Sequence, residues 1–494
     1  MTVDLTQIIK AYDVRGTVPE PFSPDVAEAV GAAFARVVVI PAFAEGDCDL
    51  PATTQGSGGE PTRPAVVIGN DMRDSGPELV AAFTRGLTDA GVDVIHIGLC
   101  STDGLYYASG SRDLPGAMFT ASHNPAGYNG IKMCHPGARP VGESSGLANI
   151  RSLAQTYLAD GLPTPVASPG SVRQEDLLIE YAKFLRGLVN VADIRPLKVV
   201  IDAGNGMGGH TVPVVLGTEG RLPALPLEIV PLYFELDGTF PNHEANPLDP
   251  ANIVDLQKAV VEHGADLGIA FDGDADRCFF VDETGRAVTG SAVTTLVGLR
   301  ELAKEQAAGR PATIIYNLIC SKSVPETLNA AGARTVRTRV GHSFIKAQMA
   351  AENAVFGGEH SAHYYFRDFW FADTGMLTAL HVLAALGEQE HPMSALSMMY
   401  EPYYASGEIN STVTDVAATT AKVVAAYRKA YPRVELDELD GVTLSNWDAG
   451  DGPRWWFSLR ASNTEPLLRL NVEAADEDVM EKVRDDVLAL VREG

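Results

Sequence analysis

Cysteine is scarce. There are five in 494 residues (Cys48, Cys100, Cys134, Cys278 and Cys320), an odd number, widely scattered and without a C-x-x-C pair. That pattern supports neither a disulfide framework nor a zinc knuckle, and free thiols in a reducing, cytoplasmic setting are the expectation. Positive charge is scarce too: 38 Lys plus Arg stand against 64 Asp plus Glu, a formal net charge of −26. A chain of that sign is a poor coat for DNA or RNA, whose binding relies on neutralising phosphates, and a poor match for anionic lipid. No uninterrupted apolar run reaches the ~18 residues of a membrane-spanning helix; VVVIPAFA at 37–44 stops far short. The opening MTVDLTQIIKAYDVRG lacks the charged-then-apolar order of a secretory leader. The pattern G-x-x-x-x-G-K-[ST] is also missing, which argues against an ATP-driven engine.

What is present reads as a globular protein: 46% hydrophobic and 21% charged residues are too apolar for a disordered chain. At roughly 100–200 residues per domain the length implies three or four domains. Short β-branched runs recur and end in polar or glycine residues: 65–68 into Gly69-Asn70-Asp71, 199–201 into Asp202, 267–271 into Asp272, and 312–316 into Asn317. Such runs suit strands buried on both faces of a parallel or mixed sheet. Helices are predicted between them, over 77–90 with Pro77 in the first turn and Gly91 as the stop, and over 292–308. Alternating strands and helices make an α/β fold with chemistry at the strand ends. Residues 43–63 read as a surface loop and 160–173 as a linker, with softer breaks at 283–290 and 399–410. In the last ~90 residues the runs 455–459 and 467–470 read as paired strands and 474–492 as a closing helix; Trp455 and Trp456 read as core.

The sharpest chemical feature is Asp272-Gly273-Asp274-Ala275-Asp276-Arg277. Three carboxylates at alternate positions after a strand can converge, and their repulsion calls for a hard cation such as Mg2+ or Ca2+. Glu283 stands where an EF-hand would place its last ligand, but Arg277 occupies the obligatory glycine position and the flanks read as strands. Arg277 suggests an anion beside the metal. A second feature is Thr120-Ala121-Ser122-His123-Asn124-Pro125, an exposed serine in a tight loop with Lys132 close behind. In Gly357-Gly358-Glu359-His360-Ser361-Ala362-His363, Glu359 and Ser361 stand two apart on an extended segment and suit vicinal sugar hydroxyls. Gly341-His342-Ser343 is a weaker candidate. Arg460-Ala461-Ser462-Asn463-Thr464-Glu465-Pro466, with Arg469 beyond, combines donors fit for a phosphate. Gly204-Asn205-Gly206-Met207-Gly208-Gly209 formally matches G-x-G-x-x-G after a strand, yet close strand–helix packing is the preferred reading over a dinucleotide site.

Taken in order, Tyr12-Asp13-Val14-Arg15-Gly16, TASHNP at 120–125, DGDADR at 272–277, GEHSAH at 358–363 and RASNTEP at 460–466 resemble the α-D-phosphohexomutase family, in its phosphomannomutase/phosphoglucomutase group. The resemblance spans nearly the whole chain. It implies four domains around a central cleft, three similar α/β domains and a smaller C-terminal α+β domain, here set at 1–165, 174–284, 285–400 and 401–494. It implies that Ser122 carries phosphate and that Asp272, Asp274 and Asp276 hold one Mg2+ ion together with a phosphoserine oxygen. Arg15 and Arg277 are implied near the moving phosphoryl group, and Lys132 and His342 at the acid/base positions. Glu359, Ser361 and His363 would read the sugar. Arg460, Ser462, Asn463, Thr464 and Arg469 would hold the distal phosphate. The implied reaction interconverts mannose 6-phosphate and mannose 1-phosphate through a hexose 1,6-bisphosphate that also serves as activator. Glucose phosphates are expected as further substrates, with phosphoglucomutase or phosphoglucosamine mutase activity as family alternatives. A metal-dependent sugar phosphatase and a calcium-binding structural module are the readings from other classes. The partners expected are small hexose phosphates, with no nucleic acid or membrane, for a monomer or homodimer. Two departures stand out: Ala362 replaces the more usual glycine, and the 43–63 insertion has no assigned role.

Overall fold

The computed structural model describes residues 4–10, 12–44, 63–450, 452–461 and 467–492. The chain divides into two compact units. One is built from Met1–Val288, Met349–Phe356 and Ser361–Ser394, and the other from Thr289–Gln348, Gly357–His360 and Ala395–Gly494.

The first unit holds two mixed α/β sheets. In the first, the apolar run expected at 65–68 is the strand Ala65–Asn70, lying parallel to both Asp93–Leu99 and Gly116–Phe119. Tyr128–His135 continues the sheet antiparallel and carries Val14–Thr17 at the edge. Helices Pro24–Phe34 and Gly76–Asp89 cover one face, with Phe83 in ring contact with both Phe34 and Phe119. Each such fully buried ring contributes about 1.5–3 kcal/mol relative to exposure. The second sheet centres on Leu197–Asp202, parallel to Leu227–Leu232 and Leu267–Phe271; Cys278–Asp282 turns back antiparallel. Every residue of Leu267–Phe271 is buried, as a run without alternation requires.

Two expectations change here. The 160–173 segment is no free tether. Val166 and Gly170 donate to the carbonyls of Asp89 and Thr88, and Val172–Gln174 adds a parallel strand to the first sheet. The apolar run at 37–44 is the end of a longer helical stretch, Pro24–Ala44, which is long and apolar enough by length and composition to cross a membrane; 67% of that window is buried inside the protein.

The second unit contains the parallel pair Thr313–Asn317 and Arg334–Thr338, with helices Gly290–Ala307 and Ser323–Ala330 in contact. It also holds an antiparallel sheet in the order Tyr404–Thr412, Leu467–Ala474, Trp455–Ala461, Val442–Ser445, Glu435–Asp437. Helices Val416–Ala430 and Glu477–Arg492 bury Tyr427, Val483 and Val487 against Trp455 and Phe457. The tryptophan pair is core: Trp455 is fully buried, and Trp456 donates its indole N–H to Glu473.

Candidate active site

Ser122 sits where the strand Gly116–Phe119 runs out and the chain doubles back, Asn124 N–H donating to the Ala121 carbonyl. Its backbone is left-handed, with φ +50. That conformation costs a non-glycine residue about 1–2 kcal/mol and persists only where the surroundings enforce it. The enforcing group is Arg73. Its guanidinium donates to the carbonyls of Ser122 (2.8 Å), Asn124 (2.7 Å), Pro125 (2.9 Å) and Tyr128 (2.9 Å). Its Nε reaches Asp71 at 3.2 Å. Arg73 and Asp71 are both buried, and burial pushes the Asp71 carboxyl up to about 6 even with Arg73 opposing the shift. Sequence reading missed Arg73, although the polar end of the 65–68 strand pointed at its neighbourhood.

The acidic loop meets this serine. Ser122 Oγ donates to Asp272 Oδ2 at 2.8 Å and lies 3.2 Å from His123 Nδ1. A Cβ on Gly273 would stand 2.4 Å from the Ser122 carbonyl oxygen, so the two loops touch backbone to backbone and only glycine fits there. Gly206 in turn approaches the Gly273 carbonyl so closely that a Cβ would lie 2.7 Å from it. The G-x-G-x-x-G match is therefore a buttress for the acidic loop, in line with the packing reading.

Asp272, Asp274 and Asp276 are at most 1% exposed, and one oxygen from each lies within 4.8 Å of the others. Lys132 Nζ bridges Asp274 Oδ2 (2.7 Å) and Asp276 Oδ2 (2.5 Å); Arg277 Nε donates to Asp272 Oδ2 at 2.9 Å. Burial and the neighbouring carboxylates push the Asp272 carboxyl up despite Arg277. Burial also opposes the charge on Asp274, but Lys132, Thr102 and Arg277 outweigh it and hold that carboxyl far below the usual range. Thr102 was not anticipated: its hydroxyl donates to Asp274 Oδ2 at 2.5 Å and its N–H to the Asp274 carbonyl at 2.9 Å. Asp274 Oδ1 and Asp276 Oδ1 remain buried without a partner. Two orphaned anionic oxygens in an all-carboxylate set are what a hard divalent cation would satisfy, so the residues fit such an ion.

Arg15 donates to Asn124 Oδ1 and Asp13 Oδ2, each at 2.7 Å, which places it on the Ser122 loop. Burial, then Arg277 and Arg15, push the His123 imidazole well down, leaving it neutral. Glu359 and Ser361 do not share an extended segment, contrary to expectation. The chain turns at His360 and Ser361 and passes through a left-handed Ala362, φ +66. A glycine would adopt that conformation without strain. Ser361 Oγ lies 3.2 Å from His363 Nδ1 in the first unit.

The second unit holds the other candidates. Glu359 Oε2 accepts from Asn317 Nδ2 at 3.1 Å and from the Gly341 N–H at 3.4 Å. His342 opens the helix His342–Glu352. Arg460 lies 3.3 Å from Asp440, and Arg469 is 3.6 Å from Glu408. Ser462, Asn463, Thr464 and the bulk of the 43–63 insertion lie outside the described residues. Asn317 was visible as the polar end of the 312–316 run, whereas Asp440 carried no sequence signal. Cys100, Cys134, Cys278 and Cys320 are free thiols; Cys48 is outside the described residues.

Comparison with known proteins adds an independent line. Four family models match in order: phosphoglucomutase/phosphomannomutase alpha/beta/alpha domain I at 53–160, domain II at 179–285, domain III at 289–403 and the C-terminal domain at 408–490. A phosphomannomutase of Salmonella typhimurium is 39% identical over 490 residues, covering 98% of each chain. A protein of Xanthomonas campestris described as phosphohexose mutases is 39% identical over 487 residues, again with 98% of each covered. The crystal structure of a phosphoglucomutase/phosphomannomutase family protein from Burkholderia thailandensis superposes with a TM-score of 0.80 at 29% identity, covering 99% of this chain and 97% of that one.

Proposed function

The chain belongs to the phosphoglucomutase/phosphomannomutase family and is an intramolecular phosphotransferase; from that premise we propose that it interconverts mannose 6-phosphate and mannose 1-phosphate, and glucose phosphates as well, through a phosphoserine at Ser122. The observation that carries the reading is the Ser122 hydroxyl, aimed at Asp272 from a loop that Arg73 fixes at four carbonyls. The proposal keeps the four-domain division at 1–165, 174–284, 285–400 and 401–494. It also takes the protein to work in the cytoplasm, as monomer or homodimer, on small hexose phosphates.

In the forward step the Ser122 Oγ–P bond breaks and a P–O bond forms to the free hydroxyl of the hexose monophosphate. Such a transfer has little covalent chemistry for the protein to do beyond alignment and neutralising the charge on the moving group. Arg277 and Arg15 supply fixed positive charge beside Ser122. Lys132 and His342 are the acid/base pair. Burial works against the Lys132 ammonium, but Asp274, Asp276 and Asp373 outweigh it and hold it charged, so it supplies positive charge here and would give up its proton only once a bound cation competes for those carboxylates. Asp272, Asp274 and Asp276 would hold one Mg2+ ion, which draws off charge from the phosphoryl oxygens when bound. Glu359, Ser361 and His363 read sugar hydroxyls. Arg460, Ser462, Asn463, Thr464 and Arg469 grip the far phosphate in either orientation of the bisphosphate.

Mannose and glucose differ only at C2, and a carboxylate and hydroxyl that read the shared 3- and 4-hydroxyls cannot strongly reject either epimer. Glu359→Gln is accordingly expected to lower kcat/KM for mannose 1-phosphate and glucose 1-phosphate by similar factors, about tenfold or more. Sparing of one epimer would break the assignment. Asp274→Asn is expected to weaken Mg2+ dependence and to remove the rise in Tm that Mg2+ gives the wild type. Full wild-type turnover in excess chelator would count against the cation site. The reaction itself is tested by a coupled assay on both sugar 1-phosphates, with and without a trace of the 1,6-bisphosphate. Release of inorganic phosphate without isomerisation would place the protein among phosphatases instead.

A further inference from the structure

We propose that Asp276, His363 and Asp373 form a second cation seat, for a borderline divalent ion of the zinc–cobalt class, which shares Asp276 with the all-oxygen set and switches the enzyme off when filled. One ligand atom from each of these three residues lies within 4.8 Å of the other two. Backbone contacts hold the set together. Arg277 and His363 form an antiparallel bridge, which brings Asp276 beside His363. The chain just after Asp373 lies against the same loop, so that a Cβ on Gly375 would come within 2.8 Å of the Arg277 carbonyl.

The imidazole is oriented as a ligand would be. Its Nδ1 is engaged by Ser361 Oγ at 3.2 Å, while Nε2 faces Asp276 Oδ1 at 3.8 Å. A hydrogen-bonded far nitrogen is the usual support of a metal-bound histidine. The 3.8 Å gap is long for a hydrogen bond and a few tenths of an ångström wider than the roughly 3.3–3.6 Å between two ligands bound at about 2.0–2.2 Å to one tetrahedral ion, so a small inward shift would seat one. Asp276 Oδ1 points the same way and is the atom the two seats share: it belongs to a residue 1% exposed and accepts no hydrogen bond, its companion oxygen being taken by Lys132.

Donor chemistry separates the two seats. Three carboxylates suit Mg2+, which prefers oxygen; imidazole plus two carboxylates with an open position suits Zn2+ or Co2+. Because Lys132 holds Asp276 Oδ2, both seats draw on the same remaining oxygen, Oδ1, and the two ions compete for it. An ion on His363 also withdraws that ring from the hexose, a consequence for activity that rests on the function proposed above.

Two measurements decide it. Co2+ bound to the full-length protein should give the intense visible bands of a low-coordinate, nitrogen-containing site. Both Asp373→Asn and His363→Gln should remove them. In turnover at saturating Mg2+, Zn2+ should inhibit the wild type, and Asp373→Asn should need roughly tenfold or more Zn2+ for the same inhibition. The two substitutions are independent, so misfolding of one, seen by circular dichroism, leaves the other informative. Faint six-coordinate cobalt bands, no Zn2+ inhibition, or a signal that survives both substitutions and vanishes in Asp274→Asn would overturn the second seat. Failure of the proposed Mg2+ role would show separately, as turnover that ignores chelator.

Discussion

Ser122→Ala is expected to lower mutase turnover by at least about a thousandfold, because it removes the atom that must accept and return the phosphoryl group. Substrate binding should change little: in the proposed function Ser122 carries phosphate, while the sugar and distal-phosphate contacts come from other residues. The loop should also keep its shape, since Arg73 grips carbonyls and not the side chain. Intact-protein mass should show one phosphate on the wild type and none on the variant. Near-normal turnover by the alanine protein would remove Ser122 as carrier.

Arg73→Leu should have the largest effect on stability. The substitution strips the donors from four carbonyls and leaves Asp71 buried without its counter-ion. Breaking a buried pair from one side costs about 3–5 kcal/mol, and each carbonyl left dry adds to that. The Asp71 carboxyl would then take up a proton more readily, since Arg73 is the strongest influence opposing its upward shift. Urea unfolding should show the loss, and phosphorylation of Ser122 should fall with it. Arg73→Lys restores the charge but not the planar fork, so it should recover less than half of the lost stability. A leucine variant as stable as wild type would mean the fork is not what holds the loop.

How much of this was legible in the sequence follows from the range of each interaction. Strands such as Ala65–Asn70 and Leu267–Phe271 were readable because burial on both faces leaves an unbroken apolar run. The three aspartates were readable because their convergence is local, within one loop. Glu359 and Ser361 were misplaced because one residue, Ala362, takes a left-handed turn that an extended reading does not contain. Arg73 and Thr102 escaped because their roles exist only in three dimensions: an arginine on loop carbonyls and a threonine on Asp274 leave no spacing to detect. The helix from Pro24 to Ala44 shows the same limit: the polar interruptions that break its apolar run do not break its helical geometry.

The first unit is assembled from three separate stretches of chain, and its last stretch, Ser361–Ser394, follows much of the second unit in sequence. Asp103 shows what that means at one carboxylate. It accepts from Ser101 close by, from Tyr181 at 2.7 Å, and from Thr374 at 2.6 Å. Trp370 likewise lies against Gly110 and stacks on Phe184. On the ribosome these early partners must wait. At about 5–20 residues per second, several seconds pass between synthesis of residue 288 and of Thr374. During that interval Phe184 lacks its stacking partner Trp370 and Asp103 lacks one of its donors, so completion of the unit waits for the intervening chain to be made.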